Sequence, residues 1–117
     1  MVQGLIAEIN EPFHPQLIIL DGIDAFVDGG PMVGKRAKGE VFLAADRVAI
    51  DAAGVAVLKV LGSSNAIMQK RIFDQWQIAR AVELALGASS PAGIEFVAMD
   101  QDSQDYCDSV REMLERG

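Results

Sequence analysis

The sequence predicts an α/β domain: a small mixed sheet of about three strands covered by helices, in the order α-β-loop-β-α-α-β-α. Three observations carry this. Short continuous apolar runs, such as Leu17 to Leu20, end in acidic or Gly-rich turns, as strands do. A run rich in Ala and Val from Val48 to Leu61 is long enough only for a helix and stops at Gly62. Apolar residues at four-residue spacing (Ile78, Val82, Leu86) mark a second helix before Gly87.

Taken in order, Val2 to Asn10 reads as an amphipathic helix with Leu5, Ile6 and Ile9 on one side, stopped by Pro12 and Pro15. Residues 17–22 are the first strand, and their unbroken apolar character suits burial on both faces. Residues 25–39, holding Gly29, Gly30, Pro31, Gly34 and Gly39, read as a loop. The second strand is 40–45, ending at Asp46, which caps the helix at 48–61. A short helical stretch follows at 66–70, then the stronger helix at 73–86. Residues 94–99 are the third strand, reached by a crossover expected to be parallel and right-handed. The first two strands are compatible with either pairing direction. Asp102 or Ser103 caps the last helix, whose buried stripe is Tyr106, Val110, Met113 and Leu114. Ile19, Leu43, Ala53, Val57, Ile78, Val82 and Val97 form the expected core.

One domain accounts for 117 residues that are 50% hydrophobic and 23% charged. A single cysteine, Cys107, excludes an internal disulfide and a cysteine-built cluster. The apolar runs are too short to span a membrane, and the acidic start lacks the basic region of a signal peptide, so the expectation is a soluble cytoplasmic domain. Seventeen acids against ten bases give a net charge of −7, unevenly spread. Residues 1–34 hold five acids and no base, 35–80 eight bases against four acids, and 100–117 six acids against two bases. The negative balance and 6% aromatic content argue against nucleic-acid binding.

Two constellations are candidates for chemistry. Gly29 to Lys35, GGPMVGK, satisfies G-x-x-x-x-G-K, but Arg36 replaces the Ser or Thr that holds magnesium, and a strand follows in place of a helix. A nucleotide loop is therefore excluded. A tight Gly turn, or an anion site built from backbone N–H groups beside Lys35, Arg36 and Lys38, is what remains. The second constellation is a set of aspartates at strand ends, Asp21, Asp24, Asp28 and Asp46, with Asp51 in the first turn of the following helix, placed to bind a hard cation, to act as acid and base, or to cap and shape the fold. The candidate ligand set is Asp21, Gly29, Gly30, Pro31, Gly34, Lys35, Asp46 and Asp51; catalytic residues and metal ligands are not assigned. His14 has no partner at metal spacing and reads as a surface residue. The acids around Cys107 disfavour a thiolate. Phe73 and Trp76 read as packing residues.

The segments 21–35 (DGIDAFVDGGPMVGK), 42–62 (FLAADRVAIDAAGVAVLKVLG) and 72–87 (IFDQWQIARAVELALG) together resemble the C-terminal part of the domain of unknown function 362 family. The shared pattern is a strand ending in Asp-Gly, a Gly-Pro loop, a strand running into Asp-x-Val-Ala-x-Asp-Ala, and a helix with Gln-Ile-x-x-Ala-x-Glu-Leu ending at Gly. It covers roughly residues 5–99. The resemblance implies no established activity. Many members carry ferredoxin-type cysteine motifs, which implies iron–sulfur chemistry there, but this chain holds no cysteine ligands for such a cluster. Members are usually longer, so the chain is expected to be part of a larger protein, or to cover its exposed apolar surface as a homodimer. Two readings stand. In one, the chain is part of a redox-associated protein whose Gly-Pro loop and aspartates bind an anion or a metal. In the other, it is a non-catalytic assembly or binding module.

Overall fold

A computed structural model describes residues 2–21, 24–28, 35–38 and 41–117, with 24–28, 35–38 and residue 41 described by their backbone. Helix α1 is Val2–Ile9. Four short strands follow: β1 Ile18–Asp21, β2 Asp24–Asp28, β3 Lys35–Lys38 and β4 Val41–Ala44. Then come α2 Arg47–Leu61, α3 Asn65–Met68, a 3-10 turn Ile72–Asp74, α4 Trp76–Glu83, a second 3-10 turn Pro91–Gly93, and α5 Gln101–Arg116.

The α/β class holds, but the sheet differs from expectation. β1 pairs with β4 and β2 with β3, both antiparallel. Ile18 lies opposite Ala44, and Asp24, six residues on, lies opposite Lys38, six residues back. The two ladders thus share one register, as two sections of a single two-stranded ribbon. An irregularity interrupts it between Phe26 and Asp28. The ends of the stretch read as a loop, 25–39, accordingly pair as β2 and β3.

Residues 94–99 are not a strand. Ile94, Phe96 and Ala98 turn partly inward while Glu95, Val97 and Met99 are exposed, so the alternation of a strand is present without a ladder partner among the described residues. Val97 is 84% exposed and Met99 95%. Ile19 and Leu43, expected in the core, are each 63% exposed and sit directly opposite one another. The cause is the alternation itself: Ile18, Leu20, Phe42 and Ala44 turn toward the body of the molecule, and the other face of the ribbon is uncovered.

Helix α2 is the centre of the fold. Val48, Ala52, Ala56 and Val57 form one cluster with Ile72, Ile78, Val110 and Leu114. It packs on α4, α5 and the ribbon, which is why it is apolar nearly all round. The sequence reading took it as the cover of a sheet; instead helices and ribbon surround it. Gly54 permits close approach, since a Cβ there would lie 3.1 Å from Leu20 Cδ2. Ala53, Val57 and Ile78 are buried as expected, while Val82 is half-buried. Lys59, in the last turn of this helix, is only 5% exposed. Its ammonium donates to the carbonyls of Lys70 (2.6 Å) and Gly117 (2.5 Å), tying the end of α5 to the turn after α3. Burial, helped by nearby Arg71, pushes Lys59 below the usual lysine range.

The expected helix at 73–86 is broken in two by the 3-10 turn and stops early. Leu86 N–H donates to Ala81 and Ala85 N–H to Val82, a Schellman arrangement with Ala85 at the left-handed position, φ 56°. Gly62, with φ 83°, ends α2 as predicted. The last helix is capped by Asp100, whose carboxylate accepts from Ser103 N–H at 2.8 Å, two or three residues before the expected cap.

Replacing Ala85 by Gly removes the steric cost of the left-handed backbone and is expected to raise stability by about 1 kcal/mol in urea unfolding. Val57→Ala should lower it by about 1–3 kcal/mol in the same measurement, from lost burial and the cavity left behind.

Candidate functional site

The motif Asp46-Arg47-Val48-Ala49-Ile50-Asp51 begins α2, and its three charged side chains take different tasks. Asp46 is a cap. One carboxylate oxygen accepts from Val48 N–H (3.0 Å) and Ala49 N–H (2.9 Å), the other from Ala88 N–H (2.9 Å). Arg47 donates through Nη1 to the carbonyls of Asn10 and Phe13, and through Nε to Leu86 at 3.4 Å. The chain leaving α1 and the turn after α4 are thereby held against the start of α2.

Asp51 is the member that faces open space. It borders a groove of about 620 Å³ whose floor is Leu20 and Phe42 from the ribbon, Gly54 and Val57 from α2, and Ile67 and Ile78 beyond. Asp21, at the end of β1, borders the same groove. Gln77 Nε2 donates to Asp51 Oδ2 at 3.3 Å. The Lys70 ammonium stands 5.8 Å from the Trp76 ring centroid at the far rim. Asp51 also borders a second groove of about 470 Å³, on the side of α1. Although its carboxylate keeps contact with solvent, these apolar walls raise it above the usual carboxylate range, with the Gln77 hydrogen bond acting weakly the other way.

The structure therefore brings two of the three aspartates together and sets the third apart. Asp21 and Asp51 share a groove, and Asp46 is consumed by backbone N–H groups. Gly29, Gly30, Pro31 and Gly34 lie outside the described residues, and Lys35 is placed on β3 by its backbone alone. Among the described residues no group of three or more His, Cys, Asp or Glu is placed to hold a metal. His14 is exposed and Cys107 is buried in α5. Trp76 departs from the packing role expected of it: it is 59% exposed, at the first position of α4 and on the rim of the groove. The sequence reading missed Lys70 and Gln77 as rim groups and Arg47 as a clamp. Only Arg47 had a signal, as the base following a helix cap.

A carboxyl raised in the fold is destabilising when ionised. Below the unfolded value near 3.8 both states are protonated and the effect vanishes; as pH rises through the raised value, stability falls. Asp51→Asn is thus expected to be more stable than the parent at pH 7 and equal to it near pH 3, which thermal unfolding at the two pH values checks.

Residues 1–56 match the model of the family described as Domain of unknown function (DUF362). The match takes in α1, the described strands of the ribbon, the Asp46–Arg47 junction and the first ten residues of α2; the stretch 72–87 lies beyond it. No curated protein and no solved structure shows a match to the chain. Over its first 56 residues, then, the chain resembles a part of the DUF362 family.

Proposed function

We propose that the chain is an assembly module, and that the uncovered face of its ribbon packs on another polypeptide. The observation that carries this is the cross-strand pair Ile19–Leu43, each 63% exposed on one face of β1 and β4. The accessible surface supports it. The chain exposes 7578 Å², where a monomer of 12.5 kDa is expected to expose about 6,200 Å². The surplus exceeds the roughly 800 Å² that each partner contributes to a standard interface. In isolation the covering polypeptide is a second copy, most simply in a two-fold dimer.

A redox role would require a cluster held by cysteines outside these residues, since Cys107 is the single cysteine among them. That cysteine is a buried thiol, which goes with a cytoplasmic setting. No described helix is long and apolar enough to cross a membrane. The reading of Asp21 and Asp51 as a ligand site keeps one favourable observation, their shared groove. Its apolar floor suits an organic cation better than a bare metal ion.

Sedimentation across a concentration series is expected to show reversible dimerisation, and Ile19→Lys with Leu43→Lys should shift the chain to monomer while leaving its circular dichroism unchanged. A parent that stays monomeric at the highest concentration defeats the reading.

A further inference from the structure

A groove of about 500 Å³ separates β4 from the extended segment at 94–99. Its walls are residues 42–44 on one side and 94–100 on the other, consecutive in both cases. Among the described residues β4 forms a ladder only with β1, and 94–98 forms none, although its side chains alternate as in a strand. Two extended segments thus stand on either side of an open slot. The base of the slot is α2, through Ala49, Ile50 and Ala53, and α5, through Tyr106 and Cys107.

The edge of β1 also borders a groove, but its facing wall is α1, which offers no edge to pair with. The slot beside β4 is different: one wall is a strand, and the other, 94–98, alternates its side chains as a strand does. Side chains agree with this. Leu43 on one side and Val97 on the other point outward and are largely exposed. A strand between them would join Ile19, Leu43 and Val97 into one apolar row. Its inward side chains would meet Phe42, Phe96 and Ala98.

We infer that this slot receives an extended, alternately apolar segment of a partner polypeptide, which enters as a strand between β4 and residues 94–98. The inference rests on the assembly reading above and adds to it a second contact, at the edge of β4. Charge selects the segment. Exposed Glu95 and Asp100 border the slot or close its end, and Asp102 and Asp105 follow on the first turns of α5. Arg111, the nearest described base on α5, stands over the Phe96 ring at 5.9 Å and is paired with Asp108. The rim is therefore acidic, and the fitting segment carries Lys or Arg at its ends.

The test uses the whole chain and a seven-residue peptide of alternating valine and threonine with lysine at both ends. Amide hydrogen exchange should slow about tenfold at residues 42–44 and 94–98 when the peptide is present at ten times its Kd. A peptide N-methylated on alternate residues, unable to donate to one strand edge, should give no such protection, and Glu95→Lys should weaken binding of the parent peptide. Several results overturn the inference. One is no protection at millimolar peptide; another is equal protection by the N-methylated peptide, which marks apolar docking without strand pairing. A third is protection of 42–44 and 94–98 that grows with the concentration of the chain alone, which makes the occupant a second copy. If the peptide fails while the Ile19 and Leu43 substitutions still abolish dimerisation, the slot is wrong and the assembly reading stands. If the chain neither dimerises nor takes the peptide, both fall.

Discussion

The structure depends on how α2 begins. Asp46 and Arg47 are adjacent, yet between them they engage six backbone groups from four parts of the chain: the first turn of α2, the end of α1, the loop at Phe13, and the turn at 86–88. A helix leaves its first N–H groups without partners, and Asp46 supplies two of them. Its second oxygen is then available for Ala88, and that contact brings the polypeptide after α4 close. Gly87 is required for it, because a Cβ at that position would fall inside the Asp46 carboxylate. With the start of α2 fixed in this way, its apolar surface can be shared among three sets of neighbours.

Those neighbours explain why so few residues build the core. α2 contributes small side chains, Ala52 and Ala56 among them, and larger ones arrive from the periphery: Ile72 and Ile78 from one side, Val110 and Leu114 from another. Small residues on a central helix let surrounding elements come close, and dispersion contacts accumulate as they do. Lys59 completes the arrangement at the other end of the same helix by binding two carbonyls that belong to separate elements. A buried ammonium is costly unless hydrogen-bonded, and here two acceptors offset the cost.

Much of this was legible in the sequence because it is local. The start and stop of α2 follow from Asp46 and Gly62, and β1 and β4 from their apolar runs. What was not legible depends on neighbours. Residues 94–99 have strand composition, but a strand exists only when another lies beside it, and composition says nothing of that. Ile19 and Leu43 look like core residues because apolar character records that a face is to be covered, not what covers it. The stop of α4 at Ala85 was hidden behind the more conspicuous Gly87, whose purpose is space for Asp46 and not helix termination. In the candidate site, the carboxylates were visible as residue types, but only tertiary placement separates Asp46, spent on backbone, from Asp51, which faces a groove.

The two-part cap has a consequence for the order in which the chain can become structured. Asp46 leaves the ribosome 42 residues before Ala88, the donor that completes its hydrogen bonding. Until then α2 starts on a half-satisfied carboxylate, and Ile72, Ile78, Val110 and Leu114 are still to arrive against it. The first 56 residues, which carry the family pattern, hold the cap but neither its distant donor nor the larger part of the helix's packing. Vectorial synthesis therefore presents an incomplete helix–ribbon unit first and closes it late, so nascent chains of intermediate length expose the apolar face of α2.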